Sequence, residues 1–161
     1  MSGGSIIVIA FLAFVAITIF KGVRIVPQGY KWIVQRLGKY HTTLNPGLNF
    51  VIPYVDEVAY KVTTKDIVLD IPSQEVITRD NAVLLMNAVA YINLTTPEKA
   101  VYGIENYSWA IQNLVQTSLR SIVGEMDLDD ALSSRDHIKA RLKSSISDDI
   151  SDWGITLKTV E

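Results

Sequence analysis

The chain has 161 residues, 15 basic and 17 acidic side chains, a formal charge of −2 at pH 7 and no cysteine. That length holds one anchor and one compact domain. The near-neutral balance excludes a nucleic-acid binder defined by bulk charge, and the missing cysteine excludes disulfides, thiolate chemistry and cysteine-ligated zinc.

No ionisable side chain occurs before Lys21, and the run from Ile6 to Phe20 is apolar apart from Thr18. With Gly3, Gly4 and Ser5 it approaches the ~20 residues needed to cross about 30 Å of hydrocarbon. A cleaved signal peptide would carry a basic start and a small-residue cleavage site, and this run has neither. A core helix would show a polar face. The pattern therefore predicts a transmembrane anchor over 1–22, followed by one folded domain over 23–161. Between Lys21 and Val55 the basic residues Lys21, Arg24, Lys31, Arg36 and Lys39 stand without an acidic neighbour. The positive-inside rule then puts the C-terminal side in the cytoplasm, and Lys21, Arg24 and Lys31 would attract anionic headgroups.

Pro27 and Gly29 mark a hinge after the anchor. Tyr30, Trp32 and Val34 alternate with Lys31, Ile33 and Gln35 as a strand; Tyr30 and Trp32 fit an interfacial aromatic belt, and strand packing explains them equally well. Asn45-Pro46-Gly47 is a turn signal. The apolar stretch that follows, with Leu48, Phe50 and Ile52 interrupted by Pro53, has two readings. It is an irregular core strand, which the usual burial of such residues favours, or a loop dipping into the headgroup region. Glu57 to Ile71 reads as two short strands. Val76 to Leu94 reads as a hairpin turning at Arg79-Asp80-Asn81, with Leu84, Met86, Ala88, Ala90, Ile92 and Leu94 on its buried face.

Helices follow. Thr96-Pro97 opens a short one with Thr96 as N-cap, and Asn106 starts a longer one whose Ile111, Leu114, Val115, Leu119, Ile122 and Val123 recur at helical spacing up to Gly124. Asp127 begins a third short helix. Ser133 or Ser134 caps a last one striped by Ile138, Leu142, Ile146, Ile150 and Trp153, ended by Gly154 before a final alternating strand. Strands first and helices after indicate an α+β fold, an antiparallel-rich sheet with helices on one side.

The residues assemble no catalytic constellation. His41 and His137 stand alone, no nucleophile elbow or phosphate loop occurs, and the acidic clusters around Asp127–Asp130 and Asp148–Asp152 lack the ladder, central glycine and closing glutamate of a calcium loop. They read as charged helix starts and solvated faces. No cofactor or metal is expected, and a hydrolase hidden in the serine- and aspartate-rich half lacks a nucleophile, base and orienter.

Several segments together resemble one family. They are Ile25-Val-Pro-Gln-Gly-Tyr-Lys-Trp-Ile-Val-Gln-Arg-Leu-Gly-Lys-Tyr40, Pro46-Gly-Leu-Asn-Phe-Val-Ile-Pro53, Leu69-Asp-Ile-Pro-Ser-Gln-Glu-Val-Ile-Thr-Arg-Asp-Asn81, the stretch Gln116 to Asp136, and Trp153-Gly-Ile155. Their order is similar to that of the stomatin/prohibitin/flotillin proteins (SPFH, or Band 7), and within them the bacterial stomatin-like, paraslipin branch. The resemblance implies a non-enzymatic membrane scaffold of a bacterial inner membrane that forms large homo-oligomers, organises lipid microdomains and regulates partners such as AAA+ membrane proteases or NfeD-type membrane proteins. The alternative is an accessory regulator of a single transporter or protease in a small complex. Relatives usually continue into a long charged helix that builds a coiled-coil wall, so the chain is expected to lack that part. Asn87 and the Ile92-Asn-Leu-Thr95 stretch also depart from the more acidic or valine-rich hairpin that the resemblance implies.

Overall fold

A computed structural model describes residues 2–161; of the expected anchor over 1–22, Met1 lies outside them. The helix α1 (Gly3–Gly22) carries exposed apolar side chains along its whole length and is long and apolar enough to cross a membrane. Water would penalise such a surface; lipid would not.

The chain divides into two compact units, one through Thr63 and one from Thr64 to Glu161. In the first, α1 runs into β1 (Val23–Val26) without a linker. The turn at Pro27 and Gly29 falls one strand later than the expected hinge, between β1 and β2 (Tyr30–Arg36). β3 (Lys39–Leu44), β4 (Gly47–Phe50) and β5 (Asp56–Thr63) complete the unit. β1 and β4 form an antiparallel ribbon, while β2 lies between β3 and β5 in a three-stranded sheet. Leu37 and Gly38 join β2 to β3 with positive φ values of 53° and 81°, the geometry of a two-residue hairpin turn whose twist matches the strands. Val26, Val34 and Leu44 make a small buried cluster, with Trp32, Val51 and Val58 packed against it.

In the second unit β6 (Ile67–Ile77), β7 (Val83–Leu94) and β8 (Ile155–Val160) form an antiparallel sheet with β7 in the middle. β6 is one long strand where two separate segments were expected. Pro72, which cannot donate to a ladder, is accommodated by a register shift between Ile71 and Gln74. Leu84 and Met86 are half-buried and Ala88, Ala90, Ile92 and Leu94 buried, so the period-two face lies as expected.

The helices α2 (Pro97–Gly103), α3 (Tyr107–Gly124), α4 (Leu128–Ser133) and α5 (Arg135–Ser151) follow, with α3 lying on β6 and α5 on β8. Ile111, Val115, Leu119, Ile122 and Val123 of α3 are buried, as are Ile138, Leu142, Ile146 and Ile150 of α5. This is the α+β arrangement with helices against a sheet. Asn106 caps α3, accepting from the Trp109 N–H at 3.1 Å. Thr96 and Ser134 occupy N-cap positions, but neither hydroxyl makes the cap bond. The Thr96 backbone is used differently: its N–H donates to the Gly154 carbonyl at 2.9 Å.

Gly154 has a φ of +68°, and a Cβ there would sit 2.5 Å from the Thr96 carbonyl oxygen. Gly154→Ala should therefore destabilise the second unit by more than the ~1 kcal/mol of left-handed strain alone. Gly103→Ala, whose Cβ meets only the Trp153 ring at 4.0 Å, should be near neutral. Urea denaturation of both variants checks this; equal midpoints would refute it.

Candidate membrane-facing surface

The end of α1 is locked to the ribbon. The Val51 N–H donates to the Gly22 carbonyl at 2.7 Å. A Cβ on Gly22 would lie 2.6 Å from the Val51 carbonyl oxygen, so only glycine permits this approach. The segment after β4 is thereby held beside the last turn of the apolar helix.

The ribbon register pairs Val23 with Phe50 and Ile25 with Leu48. Directly opposed residues and those two apart share a face, so Val23, Ile25, Leu48 and Phe50 form one side. Val26 is on the other side, in the buried cluster. Leu48 is 63% exposed and Phe50 69%, with Ile25, Ile52 and Tyr54 similarly bare. The core strand favoured for this stretch is thus replaced by an open apolar surface. The physical reason is that β4 has only β1 as a partner, and nothing among the described residues of the unit covers the ribbon's outer face.

The loop from Val51 to Val55 is clamped from beneath. Arg36 holds Asp56 with two hydrogen bonds, Nε to Oδ1 at 2.7 Å and Nη2 to Oδ2 at 3.2 Å. Asp56 also accepts from the Ile52 N–H at 3.0 Å, while its own N–H donates to the Ile52 carbonyl at 2.9 Å. The Asp56 side chain is 3% exposed. Hydrogen bonding from Arg36, with the Ile52 N–H and the guanidinium charge adding to it, holds its carboxyl down at about 2. The clamp fixes a loop that presents Ile52 and Tyr54 outward, Tyr54 with a strained φ of 71°. The Leu37 N–H donates to the Val55 carbonyl at 3.2 Å, tying the β2–β3 turn to the same loop and bringing Leu37, 84% exposed, alongside.

The expected contact residues separate into two groups. Lys21, Leu48, Phe50 and Ile52 lie together at the helix end and ribbon, where the Lys21 Nζ stands 5.6 Å from the Tyr54 ring. Arg24 lies at the same place but on the ribbon face opposite to Leu48, with Nη1 3.4 Å from the Val23 carbonyl. Tyr30, Lys31 and Trp32 belong to β2. Trp32 packs on the buried cluster beneath the Lys61 ammonium, 4.5 Å from its ring centroid, so strand packing accounts for it. Lys31 is half-buried opposite Val62, and Tyr30 is exposed opposite Thr63. Leu37 and Tyr54 escaped the sequence reading. The only signal was an apolar residue at a turn, Leu37 before Gly38 and Tyr54 after Pro53.

Among the described residues no three His, Asp or Glu side chains converge to hold a metal. What the surface can do is contact apolar material with a cationic margin.

A family model described as "SPFH domain / Band 7 family" matches residues 24–161. An uncharacterised protein of Methanocaldococcus jannaschii is 41% identical over 143 residues, covering 89% of this chain and 71% of that protein. An uncharacterised protein of Mycobacterium tuberculosis is 36% identical over 162 residues, 98% of this chain and 42% of the relative. The mitochondrial stomatin-like protein 2 of Homo sapiens is 38% identical over 130 residues, 81% of this chain and 36% of the relative. The chain thus spans less than half the length of the last two.

Asp56→Asn should lower stability at neutral pH, because an uncharged amide weakens the pairing with Arg36. The native carboxyl is depressed from an ordinary value near 3.8 to about 2. Its contribution is therefore present above about pH 4 and lost as the pH falls through 2. Thermal melts should show a gap between wild type and variant that is full above pH 4 and closes toward pH 2. A gap independent of pH would refute the clamp.

Proposed function

Because the chain belongs to the SPFH domain / Band 7 family, we propose that it is a membrane-tethered scaffold subunit, anchored by α1, whose ribbon rests in the interfacial layer. The observation that carries this reading is the apolar surface of Ile25, Leu48, Phe50, Ile52 and Tyr54 fixed to the last turn of the candidate span. A span leaving the bilayer at Gly22 puts β1 and β4 at headgroup depth, where apolar side chains lose contact with water. Lys21 and Arg24 then meet anionic headgroups, at roughly 1 kcal/mol per basic residue. Their position supports a cytoplasmic C-terminal side, at a bacterial inner membrane if the source is bacterial.

Scaffolding follows from repetition. One marginal span and one small apolar ribbon hold weakly, whereas many copies in a homo-oligomer hold by avidity and gather the lipids they prefer. Such an array would act on neighbouring membrane proteins, for which the family resemblance offers AAA+ proteases and NfeD-type proteins. No catalytic role is proposed.

The absence of native cysteine makes single-cysteine labelling clean. An environment-sensitive nitrobenzoxadiazole dye at Leu48→Cys or Phe50→Cys should shift to the blue in vesicles, and the same dye at exposed His137→Cys should not. In intact cells an impermeant maleimide should spare His137→Cys until the membrane is opened; labelling without opening reverses the orientation. Sedimentation of the chain in mild detergent should reveal large assemblies. A monomer or dimer at every concentration would sink the scaffold and favour a regulator of one transporter or protease.

A further inference from the structure

The ribbon of the first unit is held to one end of α1 and cannot leave it. β1 follows the helix without a linker. The Val51 N–H donates to the Gly22 carbonyl at 2.7 Å, and the approach leaves no room for a Cβ on Gly22. The ribbon therefore cannot lift away from the last turn or slide along the helix. Its four residue pairs form a strip roughly 13 Å long, with its two strands about 4.8 Å apart, beside the helix end.

The outward side of this strip is bulky and uncharged. Val23, Ile25, Leu48 and Phe50 share it, and exposed Ile52 and Tyr54 continue the apolar surface on the clamped loop. From Gly47 to Val55 there is no charged side chain. Cations stand only at the margin. Lys21 is at the helix end, 5.6 Å from the Tyr54 ring, and Arg24 lies on the opposite face of the ribbon.

Charge and bulk together decide what such a surface recognises. A surface dense in cations reads headgroup charge. One that is apolar with few cations must open space among the acyl chains, so its seating depends on how tightly the lipids are packed. Here the apolar side chains outnumber the cations. The volume the ribbon displaces also falls entirely in the leaflet that holds Gly22. A convex leaflet already offers that extra space, because its headgroups are spread apart.

We propose that the ribbon is a sensor of lipid packing: its ligand is a loosely packed leaflet, and it concentrates the chain where the leaflet on the Gly22 side is convex. The proposal rests on α1 as the span and the ribbon as its interfacial neighbour, and adds the kind of leaflet that the ribbon selects. α1 puts the chain in a membrane, and the ribbon decides where in that membrane it gathers. The Gly22–Val51 contact makes helix end and ribbon one body, so an unseated ribbon burdens the whole chain. A flexible loop could instead fold back and escape. The Arg36–Asp56 pair serves the same end by keeping Ile52 and Tyr54 turned outward. Headgroup charge is secondary.

The test uses the full chain carrying His137→Cys, reconstituted in giant vesicles of dioleoyl phosphatidylcholine. An impermeant dye added outside labels only the copies whose folded part faces outward. In membrane tethers pulled from these vesicles the labelled chain should be enriched over a lipid dye, and more so as the tether narrows. Leu48→Ser combined with Phe50→Ser should lose the enrichment while the chain stays anchored. Ile52→Ser, a single change at an exposed loop position, should lower it and serves if the double variant fails to fold. Adding phosphatidylglycerol should leave the enrichment in place. Equal density in tether and vesicle overturns the proposal, as does enrichment kept by the ribbon variants or seen only with the anionic lipid. A dye at Leu48→Cys separates the two levels. Equal density with a blue-shifted dye refutes selection by packing alone, whereas a dye that stays in water refutes the interfacial seating as well.

Discussion

The contact between Gly22 and Val51 governs the first unit. A helix that emerges from an apolar phase normally needs a flexible joint before a folded domain begins. Here the joint is absent, because the Gly22 carbonyl accepts from the Val51 N–H and the missing side chain lets the Val51 backbone close in. The consequence is geometric. Whatever depth the helix end takes, β1, β4 and the loop after them take it too. Exposed leucine and phenylalanine, a liability on a freely soluble domain, become consistent with their surroundings once they lie at the end of a span.

The same economy explains the Arg36–Asp56 clamp. A loop that shows Ile52 and Tyr54 to its surroundings has little core of its own to order it. A nearly buried carboxylate that receives a guanidinium fork and a backbone N–H supplies that order from the inner side. The polar side chains stay beneath, and the apolar ones are left outside. In the second unit β7 plays the organising part, with one face under the helices and both edges available. β6 pairs along nearly all of one edge, and β8 pairs with the other from Ala90 to Leu94.

Much of this was legible in the residues. The span, the helical stripes of α3 and α5, and the period-two face of β7 follow from burial patterns that recur at 3.6 or 2 residues. Two local inferences went astray for identifiable reasons. The strand ending at Ile71 and the hairpin arm starting at Val76 read as separate, yet a bulge between Ile71 and Gln74 joins them within β6. The Leu48 to Ile52 stretch looked like core by composition, yet composition does not reveal that its strand has a single partner.

By itself, then, the sequence determined which segments are apolar, where helices replace strands, and the family to which the pattern corresponds, because each depends on residues close together in the chain. Only the tertiary structure decided which apolar residues remain outside, that Trp32 turns to the core while Leu37 and Tyr54 do not, and that Arg36 finds Asp56. Those outcomes depend on strand register and on close approaches between distant backbone segments. No local pattern encodes them, since a shift of one residue in pairing would reverse every face.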